Sequence, residues 1–310
     1  MPPETPAFLD PRLTERRNPR SHDLDARSSL ELVDLINTED ATVPATVGRA
    51  RQEIARAIDL AEGAFRAGGR LFYVGAGTSG RLGVLDAAEC VPTFSVPPGM
   101  VIGIIAGGAP ALLRPVEGAE DDVNGGIAAM DGHQVGPNDV VIGIAASGTT
   151  PFVRGAIGRA QALGAKTVFL SCSDAPQLLR DTCDLCITLL TGPEVLTGST
   201  RMKAGTATKL ALNIISTGAM VKIGKTYGNL MVDLTATNSK LVDRSERIVM
   251  ETTGVDRATA RGAIESADGK VKVAIVMLRR GVPRPDAERL LTDHGGRLRS
   301  IVGAPPEVTG

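Results

Sequence analysis

Five short apolar runs, each ending in glycine or serine, constrain the fold of this chain more than any other feature. The first is RLFYVGAG, and the others are MVIGIIAGG, DVVIGIAASG, AKTVFLSCS and LCITLLTG. Nearly every position in them is apolar, as is typical of strands buried on both faces of a parallel sheet. Helical segments such as GRLGVLDAAECV separate the runs. The alternation predicts a doubly wound, five-stranded parallel α/β sheet flanked by helices, with ligands at the carboxyl ends of the strands.

Helical patterns also lie before and after this predicted sheet. SSLELVDLINTED and VGRARQEIARAIDLAEGAFRAGG predict two helices before the first strand, and RMKAGTATKLALNIISTGAMVKIGK predicts a long helix after the last. Residues 1–27 are polar and rich in proline and arginine, so we expect an arm that is flexible or wraps a partner subunit. The predicted divisions are this arm, a sheet domain with its N-terminal helices at residues 28–228, and a helical domain at residues 229–310.

The C-terminal part contains an internal repeat of about 27 residues. TGVDRATARGAIESADGKVKVAIV aligns with GVPRPDAERLLTDHGGRLRSIV, which places Gly254 on Gly281, Ala260 on Ala287, Ile264 on Leu291 and Gly269 on Gly296. Each copy predicts two short helices around a glycine turn. We expect the copies to pack together, because neither can bury its apolar face alone. Two roles stay open, a dimerisation or regulatory element and a stabilising appendage.

Composition argues against several classes of function. A net charge of −1, 3% aromatic residues and no tryptophan give no indication of nucleic-acid or anionic-membrane binding. No apolar run reaches the roughly 18 residues of a membrane span, and the N-terminus lacks the apolar segment of a signal peptide, so we expect a soluble, cytoplasmic protein. Cys183 and Cys186 form a C-x-x-C pair, but the scattered histidines provide no zinc pattern, and reduced thiols are expected.

The first polar loop, GAGTSG at residues 75–80, has the G-x-G-x-x-G spacing of a dinucleotide-binding turn. An NAD site would also require an acidic residue at the end of the next strand, and that strand ends in IAGG. Backbone N–H groups at a helix start, with the hydroxyls of Thr78 and Ser79, favour a small anion such as phosphate. A purely structural turn is the plain alternative.

Two further loops place hydroxyls at helix starts. The second loop is AASGTTP, with Ser147, Gly148, Thr149 and Thr150. Alone, such a cluster is typical of a helix cap, but beside the first loop it favours a shared phosphate or sugar site. The third loop, LTGSTRMKAGT, adds Ser199, Thr200 and backbone amides before the long helix. Lys203 and Lys209 in this segment either approach an anion or are solvated.

Carboxylates are the acid–base candidates, because no histidine lies in a motif. Glu89 has apolar neighbours, and desolvation there would suit acid–base catalysis near neutral pH, although an ordinary exposed carboxylate is the alternative. It follows Ser79 by ten residues, about 15 Å along a regular helix, so it suits a sugar phosphate only if the helix breaks or a neighbouring chain supplies it. EGAEDD adds an acidic cluster, Glu117, Glu120, Asp121 and Asp122, which would otherwise be a solvated helix face or cap.

Together, GAGTSGRLG, AASGTTPFV and TGSTRMKAGTATK resemble the sugar isomerase (SIS) domain, and the combination is similar to the N-acetylmuramic acid 6-phosphate etherase family. DAAECVPTF, EGAEDD, TNSKLVDR, TERRNPRS and the C-terminal repeat extend the resemblance over residues 14–303. The resemblance implies a SIS-type sheet, a small UBA-like helical C-terminal domain and a homodimer with sites near the subunit interface.

The resemblance also implies a reaction and its residues. The D-lactyl ether of N-acetylmuramic acid 6-phosphate would be cleaved to N-acetylglucosamine 6-phosphate and D-lactate by elimination and then hydration, in cell-wall amino sugar recycling, with no metal or other cofactor. Glu89 and Glu120 would be the catalytic pair, and which of them is the base stays open. The expected substrate contacts are Thr78, Ser79, Ser147, Gly148, Thr149, Thr150, Ser199, Thr200 and Lys240, the last of which could instead form a structural salt bridge.

Two other functions on the same fold are compatible with these loops. One is a non-catalytic sugar-phosphate-binding regulator of the glucokinase regulatory type, although such chains are usually about twice as long and carry two SIS domains. The other is a phosphosugar aldose–ketose isomerase, which also removes a proton at C2. Release of lactate would distinguish the etherase from both.

Overall fold

A five-stranded parallel sheet lies in the first of two compact units, which comprises residues 1–88 and 99–216. The computed structural model describes residues 10, 12–234 and 239–307, with the side chains of all of these except residues 239 and 240. The strands are β1 (Leu71–Gly75), β2 (Val101–Ile105), β3 (Val140–Ile144), β4 (Lys166–Ser171) and β5 (Leu185–Thr188). The spatial order is β2-β1-β3-β4-β5, and every neighbouring pair is parallel, so the predicted sheet is confirmed.

The strand order places a switch point at the centre of the sheet. Gly75, the last residue of β1, pairs with Ile105 of β2 on one side and with Ile144 of β3 on the other. The chain therefore moves outward in one direction from β1 to β2 and then returns across β1 to continue through β3. In open α/β sheets a crevice forms at such a point, beyond the carboxyl ends of the strands.

Helices follow or precede each strand of this unit, and two of them, α4 and α9, continue into the second unit. They are α1 (Ser29–Asp40), α2 (Val43–Arg49), α3 (Arg51–Arg66), α4 (Gly77–Phe94), α5 (Pro110–Leu113), α6 (Val123–Gly132), α7 (Pro151–Ala162), α8 (Gln177–Thr182) and α9 (Lys203–Lys222). α1 begins with a capping box, in which Ser28 and Glu31 satisfy each other's backbone N–H groups. α1 and α9 match two of the predicted helices, whereas the helix predicted over residues 47–69 is divided at Ala50 between α2 and α3.

Glycines allow α6 and α7 to pack backbone against backbone. A Cβ on Gly126 would lie 2.1 Å from the carbonyl oxygen of Phe152, and one on Gly155 would lie 2.3 Å from that of Val123. Neither contact is possible for a larger residue unless the helices move apart. Within this pair, α7 packs against β1, β3 and β4, and β1 and β3 carry the first and second loops.

The second unit comprises residues 89–98 and 217–310 and is mainly helical. Its elements are a short hairpin of β6 (Thr226–Tyr227) and β7 (Leu230–Met231), followed by α10 (Ser239–Thr253), α11 (Arg257–Ser266), α12 (Val271–Arg280), α13 (Arg284–Asp293) and α14 (Leu298–Val302). Each copy of the sequence repeat has two helices, joined near Gly269 or Gly296, whose φ angles are +75° and +76°. Ala260 and Ala287 are both fully buried in one core. The UBA-like character and the predicted domain boundaries remain predictions.

The N-terminal segment packs against its own chain over residues 12–27. Thr14, Asn18 and Ser21 are buried. The Ser21 hydroxyl donates to the carbonyl of Val195 at 2.7 Å, and the Asn18 amide donates to Glu39 Oε2 at 3.0 Å. The expectation of a flexible arm is therefore wrong for this stretch, because its short polar side chains find buried partners. Residues 1–9 and 11 of the arm lie outside the described residues.

In the described ranges, 10, 12–234 and 239–307, no helix is both long enough and apolar enough to span a membrane.

Candidate active site

The first loop depends on glycine for its close approach to the sheet. A Cβ on Gly75 would lie 2.6 Å from the backbone nitrogen of Gly80, and one on Gly80 would lie 2.7 Å from the carbonyl oxygen of Gly75. Gly77, where α4 begins, has a φ of +52°, which favours glycine. The G-x-G-x-x-G spacing therefore brings the start of α4 against the end of β1, with Thr78 and Ser79 half-buried in its first turn.

The second loop follows β3 and is next to the first loop, because β1 and β3 are paired up to their last residues. Its Ser147 and Thr149 hydroxyls lie 3.2 Å apart. Gly148 has a φ of +86°. Thr150 stands at the N-cap of α7 but makes no side-chain capping hydrogen bond. A plain capping role for Thr150 is therefore not observed, and its hydroxyl is available to a ligand.

The third loop lies beside the first loop at the start of α9. A Cβ on Gly205 would lie 3.5 Å from Thr78 Cγ2 and 3.4 Å from the carbonyl oxygen of Thr200, whose oxygen accepts the Gly205 N–H at 2.9 Å. Ser199 and Thr200 are half-buried. The N-termini of α4 and α9 therefore lie together, and their partial positive charges add at one place.

Hydrogen bonds between α4 and α9 show that the two helices run side by side in the same direction. Asp86 of α4, only 5% exposed, accepts from the Asn213 amide at 2.6 Å and from the Ser216 hydroxyl at 3.1 Å. Lys209 is exposed and donates to the side-chain oxygen of Asn213 at 2.5 Å. This polar seam fixes the two helix starts relative to each other.

A buried ionic network of Glu39, Glu194 and Lys203 stabilises the third loop and the start of α9. Glu194 is fully buried and accepts the backbone N–H groups of Lys203 at 3.0 Å and Ala204 at 2.9 Å, so it caps α9. Burial raises the pKa of Glu194 above its usual value, and these hydrogen bonds offset only part of the shift.

The Lys203 side chain is buried, so it is not positioned to bind an anion from solution. Its Nζ donates to Glu39 Oε2 at 2.5 Å, and Arg20 lies 2.5 Å from the other oxygen of the same carboxylate. Burial acts to raise the pKa of Glu39, but the hydrogen bonds and charges of Lys203 and Arg20 outweigh it and lower that pKa. Lys203 is therefore not the solvated cation considered from the sequence, and the anion that it contacts is the buried Glu39 carboxylate of the same chain. Sequence reasoning missed Glu39, whose partner Lys203 is 164 residues away, and Glu194, which caps α9 from nine residues before its first residue.

A pocket of about 350 Å³ opens beside the first loop and joins two predicted site residues. Its polar side chains are Thr78, Arg81, Glu117 and Glu120. Glu120 lies in a single 3₁₀ turn, Ala119–Asp121, and is exposed. The last residue of the cluster, Asp122, instead caps α6 by accepting the N–H of Gly125 at 2.8 Å. The acidic cluster therefore divides into a pocket wall and a helix cap.

Glu89 lies further along α4, which runs unbroken from Gly77 to Phe94. About 15 Å of helix rise separates Glu89 from Ser79. The Glu89 side chain is exposed, so the desolvation expected from its apolar neighbours is absent. Ala87 and Cys90 carry the buried face of the helix, and residues adjacent in sequence point in different directions around it. The side chain of Lys240, the remaining predicted contact, lies outside the described residues.

No group of three or more histidine, cysteine, aspartate or glutamate side chains that could hold a metal ion occurs in the described part of the chain. Cys183 and Cys186 are both free and half-buried.

Comparison with known proteins gives one family model and many relatives. A model described as the glucokinase regulatory protein N-terminal SIS domain matches residues 53–161. An N-acetylmuramic acid 6-phosphate etherase from Nostoc punctiforme is 54% identical over 290 residues, which are 94% of this chain and 94% of the relative. A protein of the same name from Yersinia pestis is 53% identical over 291 residues, 94% of this chain and 98% of the relative.

Solved structures are more distant. A putative phosphosugar isomerase involved in capsule formation from Bacteroides fragilis matches with a TM-score of 0.48 and 19% identity, over 63% of this chain and 91% of that one. The sequence relatives, which span almost the full length at more than half identity, show that the chain belongs to the N-acetylmuramic acid 6-phosphate etherase family.

Proposed function

We propose that the chain is a carbon–oxygen lyase that cleaves the D-lactyl ether of N-acetylmuramic acid 6-phosphate to N-acetylglucosamine 6-phosphate and D-lactate. The observation that carries this function is the identity of 53–54% to etherases over 94% of the chain. The pocket lined by Thr78 and Glu120 beyond the carboxyl ends of β1 and β2 supports it, because a carboxylate there lies beside a loop whose N–H groups and hydroxyls favour an anion.

The 6-phosphate would bind where the starts of α4 and α9 meet. Backbone N–H groups and the ends of two helix dipoles favour an anion there, and neutral hydroxyls complete the site. The hydroxyls proposed for the phosphate or the sugar are those of Thr78, Ser79, Ser147, Thr149 and Thr150, with Gly148 giving the second loop its turn. Ser199, Thr200 and Lys240 are proposed to contact the rest of the substrate.

The reaction would proceed through the open-chain form of the sugar. An ether is a poor leaving group, so direct displacement is slow. The C1 aldehyde acidifies the C2 proton, which a carboxylate removes while a carboxylic acid protonates the C3 oxygen and D-lactate departs. Water then adds across the double bond of the unsaturated aldehyde and gives N-acetylglucosamine 6-phosphate. Glu89 and Glu120 are proposed for the two proton transfers.

A homodimer would resolve the distance between Glu89 and the phosphate loop. Since α4 is unbroken, Glu89 stands about 15 Å along the helix from Ser79. We propose that a partner subunit's Glu89 completes each site. An apolar groove of about 340 Å³ on the first unit supports a subunit contact, and its apolar side chains are Pro44, Val47, Ile54, Ala55, Ile58, Leu210 and Ile214.

The first test is turnover of N-acetylmuramic acid 6-phosphate in deuterated water. We expect D-lactate together with N-acetylglucosamine 6-phosphate that carries deuterium at C2. A ketose product without lactate would indicate an isomerase. Tight sugar-phosphate binding with no product would indicate a regulator, the function suggested by the glucokinase regulatory protein model that matches residues 53–161.

The role of Glu120 can be tested against its neighbour in the same 3₁₀ turn. Glu120→Gln should lower kcat by about 10²- to 10⁴-fold, the usual contribution of a general acid or base. Asp121→Asn is the matched control, because Asp121 is exposed and does not line the pocket. Equal rates for the two variants would contradict the assignment.

The origin of Glu89 can be tested by mixing two inactive variants. If each site takes Glu120 from one subunit and Glu89 from the other, then a mixture of refolded Glu89→Ala and Glu120→Ala chains regains about a quarter of the wild-type activity. If both residues act within one chain, the mixture stays inactive. Size-exclusion chromatography must show a dimer at the assay concentration, and a monomer would contradict the shared site.

A further inference from the structure

The pocket beside the first loop contains a cation that no carboxylate neutralises. Arg81 lines this pocket together with Glu117 and Glu120, yet in the described part of the chain it forms no ion pair. Its guanidinium instead donates to two neutral carbonyl oxygens, from Nε to Leu112 at 3.1 Å and from Nη2 to Ala111 at 2.7 Å. The positive charge of Arg81 is thus held in place without being cancelled.

The position of Arg81 follows from the helix that carries it. Arg81 comes three residues after Thr78 on α4, so both side chains lie on one face of the helix and reach the same pocket. The two bonds to α5 fix the plane of the guanidinium. Because a guanidinium has five N–H donors in a rigid fork, at least two remain for a ligand.

We propose that Arg81 binds the carboxylate of the D-lactyl group, an inference that rests on the proposed function. The substrate has two anionic groups. The loops at the starts of α4 and α9 offer hydroxyls and N–H groups, and Arg201 is exposed just before α9, whereas Arg81 offers a planar, charged fork in the pocket that Glu120 lines, and such a fork pairs with a carboxylate. The lactyl carboxylate is two bonds from the ether oxygen, so a group that binds it must lie close to the acid that protonates that oxygen. Arg81 and Glu120 share the pocket that this requires.

This contact would also explain how a carboxylate enters a pocket that already holds Glu117 and Glu120. Like charges in a confined site repel, and an unpaired arginine offsets that repulsion. Arg81 would therefore select the lactyl ether over sugar phosphates that lack the second anion. It would retain its contact as the ether bond breaks, because the departing D-lactate keeps its carboxylate.

A binding cycle with two ligands tests the contact directly. The ligands are N-acetylmuramic acid 6-phosphate and 3-O-ethyl-N-acetylglucosamine 6-phosphate, which lacks only the carboxylate. Titration at low temperature would use a Glu120→Gln background, with and without Arg81→Gln, so that turnover is slow. We expect Arg81→Gln to weaken binding of the first ligand by about ten- to a hundredfold and of the second by less than about threefold. Arg81→Lys should give an intermediate loss, because it keeps the charge but not the fork.

Two outcomes would overturn the proposal. Equal weakening of both ligands would show that Arg81 acts on the phosphate or only supports the loop that carries Glu120. Unchanged binding of both would show that it makes no contact. The proposed function has its own test, which does not depend on the Arg81 variants. It fails if the wild-type chain releases no D-lactate from N-acetylmuramic acid 6-phosphate.

Discussion

Asp139 and Arg70 form a buried ion pair at the edge of the sheet opposite the loops, just before β3 and β1 begin. The Asp139 side chain is 5% exposed and that of Arg70 is 31% exposed. The carboxylate accepts four hydrogen bonds, of which three come from Arg70, at 2.8 Å from its backbone N–H, 3.2 Å from Nε and 2.8 Å from Nη2. The fourth comes from the N–H of Gly136 at 3.0 Å. One carboxylate thus ties together the starts of two paired strands.

Asp139→Ala should lower the free energy of unfolding by about 3 kcal/mol. Breaking one side of a buried pair costs about 3–5 kcal/mol, and the lower end applies because Arg70 is partly exposed and can regain water. Asp131→Ala is the control. It breaks the Asp131–Arg159 pair, which is equally short at 2.7 Å but 45% and 38% exposed, and it should cost less than about 1 kcal/mol.

The effect of Asp139→Ala should depend on pH. Burial acts to raise the pKa of Asp139, but the hydrogen bonds from Arg70 and Gly136 outweigh it and lower that pKa. A lowered pKa means that the stabilisation is present above the unfolded pKa, about 4, and is lost as pH falls through the folded value. The stability difference between wild type and variant should therefore shrink in acid.

Urea unfolding followed by far-UV circular dichroism measures both effects, at pH 7 and near pH 3. Lactate release by the folded variant should be unchanged, because Asp139 lies a full strand length from the loops. The reasoning is refuted if Asp139→Ala and Asp131→Ala cost the same at pH 7. That result would mean that the free-energy cost of removing the Asp139 carboxylate from water cancels the stabilisation from its hydrogen bonds.

Three other predictions concern packing, thiol chemistry and the ionic network. Gly126→Ala should lower the free energy of unfolding by about 1–3 kcal/mol, because its Cβ would meet a backbone oxygen of α7 at 2.1 Å. Gly132→Ala is the control in the same urea assay. It should be neutral or stabilising, because a Cβ on Gly132 has open space around it. A hydrogen bond from the Cys183 thiol lowers the pKa of Cys186 to about 7, and burial raises the pKa of Cys172 to about 12. Iodoacetamide at pH 8 should therefore label Cys186 before Cys172, as measured by peptide mapping. Glu39→Gln leaves its buried lysine partner unneutralised and should cost about 3–5 kcal/mol at pH 7, again by urea unfolding.

The sheet could be predicted from the sequence because its signal is local. Strands buried on both faces read as continuous apolar runs, and all five runs contain a strand. The β6–β7 hairpin could not be predicted, since its strands have two residues each and carry no periodicity. The glycine spacing of the first loop predicted its tight turn for the same local reason, because Gly75 and Gly80 are in direct backbone contact.

Long-range polar contacts could not be predicted. Asn18 bonds to Glu39, and Ser21 bonds to a carbonyl 174 residues away, so the flexible-arm alternative predicted from composition is wrong for residues 12–27. The expected burial of Glu89 failed for a different reason. Apolar neighbours in sequence do not define which face of a helix a residue occupies, because each residue turns by about 100° from the last.

Two polar surfaces of different chemistry meet at Thr78, and the proposed function assigns one anion of the substrate to each. On one side, the starts of α4 and α9 offer hydroxyls, backbone amides and the exposed Arg201, which would suit the phosphate group of any sugar phosphate. On the other side, Arg81, Glu117 and Glu120 form a charged pocket. An aldose–ketose isomerase needs a phosphate site and a base, but its sugar-phosphate substrate has no second anionic group for Arg81 to bind. The charged pocket is therefore the part of the fold in which specificity for a lactyl ether has to be sought, and the Arg81 variants address that part alone.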